Sequence, residues 1–167
     1  MKIERIWAMP SRWTFTIKPI ADLLREEVSG YWCDPFCGEN SPAQVRNDLN
    51  PSNVSAQTHL DALTFLKGFD KGSFDGVLFD PPYSISQAKE CYDSFGKDKL
   101  SLSVTNMGYW AAVKDELARI LKQGGKAICF GWSSMGLGLS RGFQMTRILL
   151  VPHGGSKNDT ICTVEQR

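Results

Sequence analysis

The run "FDGVLFDPPYS", Phe74 to Ser84, limits the fold more than any other stretch of the chain. Val77, Leu78 and Phe79 form a short apolar run, the pattern of a central strand in a parallel sheet covered on both faces. Asp80-Pro81-Pro82-Tyr83 cannot extend that strand, because two consecutive prolines withhold two ladder donors. A rigid elbow is therefore expected where the strand ends. In open α/β sheets, ligands bind at the carboxyl ends of the strands. A carboxylate, a stiff backbone and an aromatic ring thus fall on the edge where binding occurs.

The flanking sequence supports such a sheet. "KPIADLLREEVSG" predicts a helix: Pro19 suits its first turn, Ile20, Leu23, Leu24 and Val28 share a face, and Ser29-Gly30 stops it. "YWCD" predicts a strand ending at Asp34, and "QVRND" a weaker one ending at Asp48. "THLDALTFLKG" predicts a strand end, a turn and a short helix, with Asp61 at the junction. "WAAVKDELARILKQGG" predicts a helix ended by Gly124-Gly125, and "KAICFGW" a strand after it. "FQMTRILLVP" and "DTICTVEQ" predict a closing strand pair around "HGGSKN". Alternating strands and helices imply an α/β fold with a mainly parallel sheet and right-handed crossovers. With 167 residues, residues 1–167 are expected to form one domain.

Bulk properties exclude several classes. A net charge of +1 gives no strong field toward DNA or membrane, so any nucleic-acid contact must come from local basic loops. No apolar run is long enough for a membrane span, and "MKIERIWAMPSRW" is too charged for a secretory signal. Cys33 and Cys37 lack a partner pair at zinc-site spacing, so no metal is expected and the five cysteines read as reduced thiols of a cytoplasmic protein.

Asp34, Asp48 and Asp61 fall at three predicted strand ends and precede the Asp80 elbow. Any one of them alone is a plain cap or turn residue. Four in succession suggest a polar cofactor laid across that edge. No G-x-G-x-x-G follows the first strand, and no G-x-x-x-x-G-K-[ST] occurs, so a phosphate cradle is not expected. A cofactor with an amine, a ribose and an adenine but no phosphate fits these acids, and S-adenosylmethionine is such a molecule.

"DPPY", Asp80 to Tyr83, preceded by "DPFCG", Asp34 to Gly38, resembles the S-adenosylmethionine-dependent amino-methyltransferases that act on exocyclic amines of nucleic-acid bases. "FTIKPI", "NDLNP" and "LDALTFL" resemble that family's further cofactor motifs, so the resemblance covers nearly the whole chain. It is strongest to the small adenine-specific DNA methyltransferases of phages and mobile elements. The resemblance implies a Rossmann-like methyltransferase fold, a single catalytic domain without a separate target-recognition domain, and DNA as substrate. It places Asp80, Pro81, Pro82 and Tyr83 at the target base, Asp48 on the cofactor ribose and Asp61, with Ala62, at the cofactor adenine. Phe36 and Gly38 would line the methionine end, with Lys18 and Pro19 nearby, and Asp34, Pro35 and Cys37 would also bind the cofactor. One departure stands out. Pro42 interrupts the place where the family's first helix starts, and only about ten residues join Gly38 to Asp48, so that helix is expected to be shortened or missing.

The elbow suits amine methylation. The amine nitrogen of adenine is a poor nucleophile and becomes positive as the methyl arrives, so two fixed acceptors, the Asp80 carboxylate and the Pro81 carbonyl, would stabilise it. Tyr83 would stack on a base flipped from the duplex. The same physics suits RNA or cytosine N4, and a catalytically silent nucleic-acid-binding subunit is a further alternative. "SISQAKECYDSFGKDKLSLSVTNMGY" is expected to be a long loop in which Lys89, Lys97 and Lys99 meet phosphates or simply face solvent. His153 and Lys157 are candidates for nucleic-acid contact or parts of a plain hairpin. Longer sequence recognition would need a homodimer or a partner subunit.

Overall fold

A computed structural model describes residues 1–94, 107–155 and 157–167. Among these, the strands are β1 (Lys2–Arg5), β2 (Trp32–Asp34), β3 (Val45–Arg46), β4 (Phe74–Phe79), β5 (Leu121–Gly131), β6 (Gln144–Val151) and β7 (Thr160–Gln166). They form one sheet in the order β1-β6-β7-β5-β4-β2-β3. Pairing is parallel except at β7, which runs antiparallel to both β5 and β6. The expected architecture, a mainly parallel Rossmann-like sheet with a closing antiparallel strand, is what the chain adopts.

Helices α1 (Lys18–Glu27), α2 (Ala62–Lys67), α3 (Ile85–Ser94) and α4 (Met107–Ile120) accompany the sheet. Ile20, Leu23 and Leu24 of α1 pack with Trp32, Leu78, Ile128 and Val164 in one core cluster. Phe65 and Leu66 of α2 and Val113, Leu117 and Ile120 of α4 pack with Cys33, Val77, Phe79 and Ala127 in the other. Successive residues of β4 thus enter different cores, which is why the run has no polar alternation.

The Trp32 indole of β2 lies directly against Gly76 of β4. A methyl group placed on Gly76 would sit 2.1–2.3 Å from ring atoms of Trp32, a buried residue whose indole donates to Ser29 O at 2.8 Å. Gly76→Ala must displace the indole or the strand. It is expected to cost about 1–3 kcal/mol, read as a lower urea midpoint at unchanged m-value. An unchanged midpoint would show that β2 and β4 can separate freely.

The missing first helix is confirmed. Between Asp34 and Val45 the chain makes turns only, and Asn47 N–H and Cys37 N–H close it with bonds to Asp34 O and Asn47 O. Several expectations need correction. The stretch after the elbow is not all loop: residues 85–94 form α3, because Ser84 caps it and Gln87 N–H donates to the Ser84 hydroxyl at 3.1 Å. Lys97 and Lys99 lie outside the described residues. The strand expected before Asp61 reduces to one bridge between Asn47 and Thr58. Gly124-Gly125 do not end α4, which stops at Ile120. They lie in β5, where Leu121 already pairs with Phe74 and Gly124, at φ 78°, donates to Arg167 O. β1 has no counterpart among the predicted elements. It is a short edge strand held by β6.

Candidate active site

A cavity of about 600 Å³ opens at the carboxyl ends of β2 and β4. Its wall includes residues 12–15, the first turn from Pro35 to Asn40, Asp48, Asp61 with Ala62, the whole Asp80–Tyr83 elbow, and Tyr109 with Trp110. The volume falls within the roughly 300–1,000 Å³ usual for small-molecule sites. The residues predicted for the target base and those predicted for the cofactor nucleoside thus share one chamber.

At the elbow, the Tyr83 hydroxyl donates to Asp80 Oδ1, and Tyr83 N–H donates to the Gln87 side-chain oxygen at 2.7 Å. Thr14 stands near the Asp80 carboxylate and helps hold its pKa down. The tyrosine ring meets Trp132, at the end of β5, edge-on, with centroids 5.8 Å apart. Loss of water around Asp80 raises its pKa from the usual carboxylate range to about 6, and the Tyr83 bond and the nearby Thr14 oppose that rise. The same desolvation, joined by the Asp80 charge, pushes the Tyr83 hydroxyl far up, so it remains a donor at every accessible pH.

The first turn is organised around Asp34, which is fully buried and not among the residues that line the cavity. Its oxygens accept from Phe36 N–H at 2.9 Å and from the Ser41 hydroxyl at 2.6 Å. Burial, aided by the charges of Asp80 and Asp48, raises its pKa to about 7. Asp34 therefore shapes the turn, while Pro35, Phe36, Cys37 and Gly38 line the chamber. Gly38 has φ 52°, a left-handed conformation that favours glycine. The Cys37 thiol is buried, which pushes it up to about 12, so it serves packing.

Asp48 is fixed by its own loop. Oδ1 accepts from Asn50 N–H at 2.8 Å and Oδ2 from Asn53 Nδ2 at 2.8 Å. The same Asn53 amide reaches Gly38 O at 2.6 Å, so the Asp48 loop and the first turn move as one. Each carboxylate oxygen has two lone-pair sites, so Asp48 keeps capacity for a diol. Asp61 caps α2 through Leu63 and Thr64 N–H and accepts from the Tyr109 hydroxyl at 2.7 Å. It is both a helix cap and a wall of the chamber. Phe36 and Trp110, centroids 6.0 Å apart, add aromatic surface.

Some sequence candidates sit elsewhere. Lys18 is exposed and pairs with Asp22 at 3.0 Å; with Pro19 it borders a separate hollow beside β1 and α1. His153 is buried, its ring nitrogens meeting Ala8 O at 3.0 Å and the Thr160 hydroxyl at 2.9 Å, so it pins the N-terminal segment to the β6–β7 turn. Lys89 and Lys157 are exposed. Arg12, Trp13, Thr14, Asn47, Asn53, Tyr109 and Trp110 escaped the sequence reading. Asn47 links three segments, donating to Pro35 O and Leu60 O and accepting from Thr58 and Leu60. Only the asparagine-rich "NDLNPSN" gave a local hint of this.

The donor set suits a nucleoside cofactor with a cationic centre and no phosphate: carboxylates at three walls, aromatic faces between them, and no glycine-rich nest. No protein-family model and no curated protein matches the chain by sequence. Solved structures match in fold. An S-adenosylmethionine-dependent methyltransferase from Methanosarcina mazei superposes with TM-score 0.60 at 11% identity, covering 87% of this chain and 96% of that one. TrmN from Thermus thermophilus gives 0.55 at 16% identity over 91% of this chain and 49% of that one. The N-methyltransferase NodS from Bradyrhizobium japonicum WM9 gives 0.55 at 9% identity, covering 86% and 89%. At such identities the likeness is one of fold, and the fold is that of the S-adenosylmethionine-dependent methyltransferases.

Proposed function

We propose that the chain transfers a methyl group from S-adenosylmethionine to the N6 amine of adenine in DNA. The observation that carries this is the meeting of the Asp80-Pro81-Pro82-Tyr83 elbow with Asp48 and Asp61 in one chamber at the sheet's carboxyl edge. Asp61 and Asp48 would hold the adenine amine and ribose hydroxyls of the cofactor. The bound cofactor would supply an electrophilic methyl group on its sulfonium, leaving as a neutral thioether while the methylated amine loses its proton to solvent. Asp80 would accept a hydrogen bond from the target amine, and the Pro81 carbonyl, stiffened by the Pro82 ring, a second. These acceptors stabilise the positive charge that grows on nitrogen, and their fixed positions avoid reorganisation during the step. The family likeness of D-P-P-Y supports adenine as the base and DNA as its carrier.

The Tyr83 hydroxyl occupies one oxygen of Asp80, and the carboxylate has acceptor sites to spare for an amine. The Tyr83 ring presents its face or edge to an incoming base according to how far it turns from Trp132. The acceptor role requires ionised Asp80. Since its pKa is raised to about 6, kcat/KM is expected to fall as pH drops through about 6 and to level above it. Tyr83→Phe keeps the ring but removes a bond that lowers this pKa. Its acid limb is therefore expected at higher pH, with turnover at pH 8 largely kept. A pH–rate profile checks this; an acid limb that is absent, or that moves downward in Tyr83→Phe, would remove Asp80 from the role.

A further inference from the structure

The amino-acid end of the cofactor carries a carboxylate, and the chamber is a poor place for one. Glu39, Asp48, Asp61, Asp80 and Glu90 all border it. Among the described residues on its wall, Arg12 is the one cation. We propose that Arg12, held on the face of Trp13, receives the cofactor's α-carboxylate; this rests on the cofactor reading above.

The path of the chain places Arg12 for that task. Residues 12–14 cross the mouth of the first turn. The Trp13 indole lies over Gly38, where an added methyl would sit 3.8 Å from its ring. Thr14 stands near Asp80. With the adenosine toward Asp61 and Asp48 and the sulfonium facing Asp80, the remaining arm of the cofactor has the Gly38–Trp13 side left to it. The Arg12 guanidinium lies there, 5.0 Å from the Trp13 ring centroid, a cation–π distance. It takes part in no ion pair among the described residues, so the charge is uncommitted, whereas Lys18 is already paired with Asp22. A guanidinium placed over an indole keeps its N–H donors for other partners, and its planar fork suits bidentate capture of a carboxylate. The Cβ-less, left-handed Gly38 leaves the room that the arm needs.

Calorimetry with two ligands tests the assignment: S-adenosylmethionine, and decarboxylated S-adenosylmethionine, which lacks only the carboxylate. Arg12→Ala is expected to bind the intact cofactor about tenfold more weakly, the scale of a charge-assisted hydrogen bond, and to bind the decarboxylated form no more weakly than wild type. Arg12→Lys should keep part of the preference. Arg12 is exposed, so both variants should melt as wild type does. Equal loss of both ligands would overturn the proposal, since Arg12 would then act only by holding Trp13. Unchanged affinity for both, with weaker binding to DNA, would overturn it too and make Arg12 a phosphate contact. Wild type that binds neither ligand would end the cofactor reading itself, and this assignment with it.

Discussion

Asp80→Ala is expected to lower methyl transfer by at least about 10²–10³-fold, the scale for removing one preorganised charge-stabilising group, while cofactor affinity changes little. The asymmetry follows from position. Asp80 stands at the end of β4, where among the described residues its side chain accepts from Tyr83, and the nucleoside acids Asp48 and Asp61 are held by independent bonds. Removing the carboxylate leaves those bonds intact and relieves a desolvated, half-buried charge, so the fold should not suffer. Asp80→Asn is informative beside it, because an amide retains one acceptor oxygen and should lose less. Radiolabel transfer gives the turnover and calorimetry the affinity. Retention of more than a tenth of wild-type turnover would place the target amine elsewhere.

Asp48→Ala is expected to weaken cofactor binding about 10–100-fold, from the roughly 1.5–3 kcal/mol of a hydrogen bond to a charged acceptor. Part of that loss passes through the loop. Asp48 receives Asn50 N–H and Asn53 Nδ2, and Asn53 in turn holds Gly38 O. Asn53→Ala separates the two contributions. It removes the tie to the first turn and leaves both Asp48 oxygens, so its effect on affinity should be only a few-fold. Equal losses in the two variants would mean that Asp48 organises the loop and touches no ribose. An unchanged dissociation constant in Asp48→Ala would leave it a turn residue.

What could be read from the sequence divides by the range of the cause. The β4 strand and its elbow were legible because an apolar run and two prolines act locally. The absent first helix was legible for the same reason, through Pro42 and a short connection. Asp61 was legible as a junction, but its bond to Tyr109, 48 residues away in the chain, was not. α3 was missed although "SISQ" carries a helix-start pattern, Ser84 followed three residues later by Gln87; the length and lysines of the stretch suggested a loop instead. Arg12 and Trp13 reach the chamber only because His153 and β6 anchor the N-terminal segment, and no spacing in "PSRWTF" encodes that. Asp34 was expected beside the cofactor; it is fully buried, and the bonds it accepts from Phe36 N–H and Ser41, which shape the first turn, had no local signal in the sequence.

The most direct measurement is to incubate the protein with methyl-labelled S-adenosylmethionine and DNA, with RNA in a parallel reaction, then digest to nucleosides and identify the labelled one by mass spectrometry. The account predicts label in N6-methyldeoxyadenosine, and at least about a hundredfold less of it in the Asp80→Ala reaction. Label confined to RNA or to N4-methyldeoxycytidine would keep the chamber and contradict the substrate. No label in any nucleic acid, from a protein that binds the cofactor, would contradict the central claim.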